Sequence, residues 1–136
     1  MSEQQNVQTV QSAYAAFKRG DIQGVLNTLA EDVEWHTPGE GVVPQAGTFH
    51  SKDEVARFFQ KLDQNAKFTN FEPRSYVAQG DNVVALGSYS GTVPQTGRTF
   101  ESEWAMLFTF KGSKVAKFRE YTDTAAIAQA YVAKAA

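Results

Sequence analysis

Between Arg98 and Phe110 the chain reads RTFESEWAMLFTF, and this stretch constrains the fold more than any other. In an extended chain successive side chains point to opposite faces. Phe100, Ser102, Trp104, Met106, Phe108 and Phe110 then share one face; Glu101, Glu103, Ala105, Leu107, Thr109 and Lys111 share the other. A strand with so aromatic a face has to be covered on that side, which calls for helices packed across a sheet. Lys111-Gly112-Ser113 reads as a turn and Lys114 to Thr122 as the return strand. A three-residue turn sets Phe108 opposite Ala116, Met106 opposite Phe118 and Trp104 opposite Glu120. A two-residue turn shifts the register by one and brings Arg119 beside Met106. The first register is preferred because it gives Phe118 to the covered face. It sends Glu120 the same way, and leaves Lys117, Arg119 and Glu103 outside, where an ion pair is ordinary and weak.

An inward Glu120 is the unusual feature of the closing segment FREYTD. Desolvation beside Trp104 and Phe118 disfavours its anion and raises its pKa, by up to about 3–5 units if burial is complete. Such a carboxyl suits a general acid or base working near neutral pH. The structural alternative is a partly wet glutamate at the sheet rim, bonded to a hydroxyl or a backbone amide.

The rest of the chain supplies the cover. Val7, Val10, Tyr14 and Phe17 recur at spacings of three and four, which predicts an amphipathic helix over about residues 4–19, ended by Gly20. Asp21 caps a second helix with the stripe Ile22, Val25, Leu26 and Leu29. A short strand, Asp32 to His36, leads into TPGEGVVPQAGTF, which reads as a long loop or lid. Ser51 to Glu54 has the pattern of a capping box and opens a third helix with the stripe Val55, Phe58, Phe59, Leu62 and Ala66. After residue 67 the period changes to that of strands. Phe68 to Val77 contains Pro73 and reads as an edge or bulged strand, and Val83 to Val93 as its neighbour. Asp123 caps a short terminal helix carrying Ile127 and Tyr131. The order is α+β, with helices gathered on one side of a mostly antiparallel sheet.

A chain of 136 residues forms one domain, residues 1–136, large enough for a core without staples. Net charge is −2 and no basic run exists, which argues against a nucleic-acid partner. Without cysteine there are no disulfides, thiol nucleophiles or cysteine metal sites. The two histidines, His36 and His50, have no metal-ligand spacing, so neither a metal nor a cofactor is expected. The start MSEQQN lacks the pattern of a signal peptide, and no apolar run reaches the roughly 20 residues of a membrane span. The expectation is a soluble, cytoplasmic protein that does not engage a membrane.

Two further groups are candidates for proton transfer. His36 ends the first strand just before the loop, but alternation sets it with Glu34, opposite Val33 and Trp35, so it reaches an inner pocket only if Trp35 faces out. Tyr14, on the stripe of the first helix, either puts its hydroxyl into a cavity or bonds it locally. Phe17, Trp35, Phe59, Trp104, Met106 and Phe118 are core residues that line a pocket if the sheet curls into a cone.

Three segments, AYAAFKRGDIQGVLNTLAEDVEWHTPG, GTFHSKDEVARFFQKL and GRTFESEWAMLFTFKGSKVAKFREYTDT, resemble the SnoaL-like branch of the NTF2-like superfamily, which also contains ketosteroid isomerase. The resemblance implies a cone: a curved antiparallel sheet wrapped by three to four helices around an apolar pocket, commonly dimeric through the outer sheet face. It implies no single activity, since the superfamily holds isomerases, cyclases, hydrolases, dehydratases and binding domains. Carried over residue by residue, the general-base Asp of the ketosteroid isomerases falls on Trp35, their protonated Asp on Met106, and their helix-one Tyr on Ala13 rather than Tyr14. Ketosteroid isomerase chemistry is therefore not expected. The acid on the last strand of SnoaL-like cyclases matches Glu120, while their cavity His falls on Met106. The reading is a cofactor-independent acid/base protein of isomerase, cyclase or hydratase type, taking a small apolar or aromatic carbonyl compound, with Glu120 moving a proton aided by Tyr14 or His36. The alternatives are a non-catalytic ligand-binding or accessory protein of the same fold, and a dimeric assembly domain.

Overall fold

The computed structural model describes residues 2–132. Helix α1, Glu3–Lys18, opens with a complete capping box, Ser2 and Gln5 each bonding the other's backbone N–H. It stops at Gly20, whose φ of +78° a residue with a Cβ adopts only with strain. Helix α2, Ile22–Leu26, is capped by the Asp21 carboxylate. It is shorter than its apolar stripe predicts: Leu29 opens strand β1, Leu29–Thr37, instead of closing the helix. Strand β2, Gly47–His50, forms inside the segment read as loop and pairs with β1. Helix α3 runs Lys52–Asn65, followed by β3, Lys67–Gln79, β4, Asn82–Thr92, β5, Thr99–Lys111, β6, Lys114–Thr122, and helix α4, Thr124–Tyr131. At the start of α3, Ser51 Oγ accepts from Glu54 N as a cap should, but the Glu54 carboxylate bonds His50 N rather than returning to Ser51.

The six strands form one curved sheet in the order β2-β1-β6-β5-β4-β3. Every pairing is antiparallel except β1 with β6, which run parallel. As Pro73 predicts, β3 is an edge strand, with a register shift between Pro73 and Ser75. The aromatic face of β5 is buried from Phe100 to Phe110, and the helices pack against it.

The β4–β5 pair shows how the ladder accommodates so many rings. Gly87 lies opposite Trp104, Tyr89 opposite Ser102, and Gly91 opposite Phe100. Each large side chain faces a small one, so the layer fills without overlap. A Cβ on Gly87 would sit 2.5 Å from Trp104 Cζ2 and would collide with the Glu72 carbonyl.

The β5–β6 register differs from the sequence expectation. The turn is the shorter one, with Lys111 opposite Lys114 and Phe110 opposite Val115. A shift then falls between Thr109 and Phe110, so that Thr109 meets Lys117 and Ala116 is the extra residue of a bulge. Val115 and Phe118 both turn inward, and Met106 lies opposite Glu120 rather than Phe118. The tight turn alone would have turned Glu120 outward; the bulge restores its inward direction.

Candidate functional site

Glu120 is buried, at 9% exposure, near the C-terminal end of β6. Its Oε2 accepts a 2.8 Å hydrogen bond from the hydroxyl of Tyr89 on β4. Tyr89 Oη also lies 2.8 Å from Thr122 Oγ1, which donates to Ser102 Oγ at 3.0 Å. Ser102 Oγ in turn donates to the Glu103 carbonyl at 2.6 Å and accepts from Asp123 N. A short chain of hydroxyls thus runs from the carboxyl toward the start of α4.

Burial in this apolar surrounding pushes the Glu120 pKa up to about 7 from 4.5, with the Tyr89 hydrogen bond pulling part of the way back. Burial, reinforced by the nearby carboxylate, raises the phenols of Tyr89 and Tyr14 well above their ordinary value. Both therefore stay protonated at any ordinary pH and act as hydrogen-bond donors. Tyr14 Oη donates to Met106 Sδ at 3.1 Å. Sulfur is a weak acceptor, so this hydroxyl is easily redirected.

Between the sheet and the helices lies a cavity of about 110 Å³. Tyr14, Phe17, Trp35, Phe59, Met106, Phe118 and Glu120 line it. Trp35 lies flat on Phe118, ring centroids 3.8 Å apart. Two expected residues are elsewhere. Trp104 faces inward but does not line the cavity; it lies against Gly87 and packs on Tyr14 and Phe71, so its ring is wall rather than lining. His36 is not a lining residue either. With Trp35 turned inward, alternation puts His36 on the outer side, level with Arg119, its Nε2 3.5 Å from Glu40 Oε2. The contribution expected of it at the pocket mouth has no geometric basis.

Three more residues line the cavity without being candidates from the sequence: Tyr89, Gln45 and Tyr131. Tyr89 carried a signal: in GSYSG the tyrosine stands between two glycines on the face that also holds Val83 and Ala85, a buried polar ring with space cleared beside it. Gln45 carried none, since it sits in a Gly- and Pro-rich segment with no period. Val43 and Gln45 nonetheless reach into the cavity, each 5% exposed, and Gln45 Nε2 donates to Tyr131 Oη at 2.8 Å, tying this loop to α4. Among the described residues no group of three His, Asp or Glu side chains converges as a metal ion would require.

Comparison with known proteins agrees with this architecture. A family model described as a SnoaL-like domain matches residues 10–118. An NTF2-like protein of Burkholderia xenovorans LB400 superposes with a TM-score of 0.88 at 43% identity, over 97% of this chain and 99% of that one. TerC, crystallised with polyporic acid, superposes with a TM-score of 0.81 at 25% identity, over 93% and 98%. An uncharacterized protein of Mycobacterium tuberculosis is 26% identical over 93% of this chain and 95% of its own length.

Proposed function

Since the chain belongs to the SnoaL-like family of the NTF2-like superfamily, we propose that it is a cofactor-independent acid/base enzyme of the isomerase, cyclase or hydratase type, acting on a small apolar or aromatic carbonyl compound held in the cavity. The observation that carries this reading is Glu120: a buried carboxyl on the cavity wall, with its pKa raised to about 7. A carboxylate poised there takes a proton from carbon next to a carbonyl and returns it elsewhere with little change in driving force. Tyr89 holds Oε2, so proton transfer falls to Oε1. Tyr14, swung from the Met106 sulfur to the ligand oxygen, stabilises the developing enolate. His36 has no part in this scheme.

Hydrogen–deuterium exchange tests it without knowledge of the natural substrate. With acetophenone in D₂O near pH 8, wild-type protein accelerates exchange of the methyl hydrogens, and the Glu120→Gln variant does not. Equal rates with the two proteins would leave the second reading, a ligand-binding protein without chemistry. That reading is supported by Trp35 and Met106, apolar groups where catalytic relatives carry polar ones, and by TerC, whose structure was obtained with polyporic acid.

The same proposal extends to a homodimer formed through the outer sheet face. Val77, Val84 and Leu107 form one cross-strand row, and Leu86, Ala105 and Tyr121 the next. Val77, Leu86 and Tyr121 are exposed large hydrophobic side chains, more contiguous apolar surface than scattered single residues present.

A further inference from the structure

The cavity has a second polar group that the proton-transfer scheme leaves unused. Thr37, the last residue of β1, is 7% exposed and lines the cavity, and its Oγ1 has no hydrogen-bond partner among the described residues. Gln45, 5% exposed, also lines the cavity, and its Oε1 is likewise unpartnered there. Buried polar atoms are seldom left unpaired, so two such atoms on residues lining the same cavity mark a place built for a missing partner.

Strand pairing places this wall next to Glu120. In the parallel β1–β6 ladder Trp35 lies beside Phe118 and His36 beside Arg119. One further step along both strands brings Thr37 level with Glu120, on the same inward face. Gln45 is held by Tyr131, on the helix that directly follows β6. Thr37, Glu120 and Tyr131 therefore stand where β1 and β6 end and α4 follows, while Val25, Leu29, Phe59 and Leu62 contribute apolar lining.

The chemistry of the missing partner follows from what the two side chains offer. A threonine hydroxyl donates and accepts. The Tyr131 hydroxyl also does both, so the Gln45 amide can turn over, keep its bond to Tyr131, and present either its oxygen or its NH₂. A hydroxyl is the ligand group that satisfies Thr37 and either end of the amide. We propose that Thr37 and Gln45 form a subsite reading a hydroxyl group carried by a single-ring ligand. A cavity of about 110 Å³ is on the scale of the ~150 Å³ apolar cavity that takes one benzene ring. The inference rests on the reading of this cavity as a ligand site, and it narrows the ligand class to hydroxylated rings such as phenols and cyclic enols.

Phenol and benzene, titrated into the intact protein and followed by NMR shifts, separate the possibilities. Wild-type protein binds phenol about tenfold more tightly than benzene, the ratio expected for one well-made hydrogen bond. In the Thr37→Val, Gln45→Met double variant, phenol weakens to the level of benzene while benzene is unchanged. Should the double variant lose benzene as well, its cavity has collapsed, and Thr37→Val alone, which removes only an unpartnered oxygen, must still reduce the preference. The preference also persists at pH 5 and pH 8 alike, on either side of the Glu120 titration. Three outcomes overturn the subsite: no preference in wild type, a preference that survives both substitutions, or one abolished by Glu120→Gln. If neither compound binds, the ligand-site reading falls with it; benzene binding without a preference for phenol removes the subsite alone.

Discussion

Tyr89 on β4 donates its phenol proton to Glu120 on β6, 2.8 Å away, across the intervening β5. The pairing sets Tyr89 level with Ser102 and Glu120 level with Met106, so the bond runs diagonally, across two strand spacings of about 9.6 Å and along β5 as well, a span bridged only where nothing stands between. Ser102, the residue of β5 paired with Tyr89, is small enough to leave that space. The bond fixes the carboxyl and sets its acidity, and both effects can be measured.

The pH dependence of stability should carry the signature of Glu120. Its pKa lies at 4.5 when exposed and about 7 in the fold, so between those values the native state binds more protons than the unfolded chain. Stability is therefore fully present below about pH 4.5, falls as pH rises, and levels off above about pH 7; the total is about 3 kcal/mol. Urea unfolding at intervals from pH 4 to 8 measures it. Glu120→Gln flattens this part of the curve and is more stable than wild type at pH 8. Parallel curves for the two proteins would contradict the burial of the charge.

Replacing Tyr89 with Phe removes the hydrogen bond that favours the carboxylate. The Glu120 pKa then moves further up, above about 7, and the acid-side limb of any exchange activity, set by deprotonation of this base, moves up with it. At pH 8, stability drops by roughly 1.5–3 kcal/mol, the usual worth of a hydrogen bond to a charged group. Carbon-13 NMR titration of labelled glutamate side chains reads the pKa directly. A downward shift would mean that the phenol does not hold the charged form.

Gly87→Ala should destabilise the fold by at least ~2 kcal/mol, because overpacking strains a filled layer. Strand propensity alone predicts the opposite sign, since Ala is the better strand residue. The new methyl would meet the Glu72 carbonyl and the Trp104 ring, and the backbone cannot withdraw. Thermal unfolding decides between the two signs.

Ser51 holds φ +87° and ψ 154°, a region nearly confined to glycine. Ser51→Gly relieves strain of about 1–3 kcal/mol and gives up only a few tenths in capping, so the variant gains about 1 kcal/mol. Ser51→Ala keeps the strain and loses the cap, and it loses about 1 kcal/mol. Denaturant midpoints for the pair should move in opposite directions.

Leu86→Glu places a charge in the middle of the outer apolar rows. Light scattering coupled to size-exclusion chromatography should show the wild type at twice the chain mass and the variant at the chain mass, with unchanged circular dichroism. A variant that remains dimeric would move the interface to another face.

The inward direction of Glu120 was legible in the sequence, but its register was not. Alternation along Arg98–Phe110 is a local property, and it assigns every inward residue of β5 correctly. The β6 partner of each depends on turn length and on a bulge at Ala116 that no local pattern announces. The shorter turn shifts the pairing by one residue and the bulge shifts it by one more in the same direction, so the parity of Glu120 survived while its neighbour changed from Trp104 to Met106.

By itself the chain determined its longer helices, most of its strands, the aromatic inner layer and the single acid within it. These follow from periodicity and capping, which act over a few residues at a time. Tertiary structure alone decided which polar groups meet: Tyr89 with Glu120, 31 residues apart, and Gln45 with Tyr131, 86 apart. Those contacts depend on strand order, on the small residues that leave room for large ones, and on how a loop without a period folds back against α4. Distances of that kind are summed over the whole fold, and no stretch of sequence contains them.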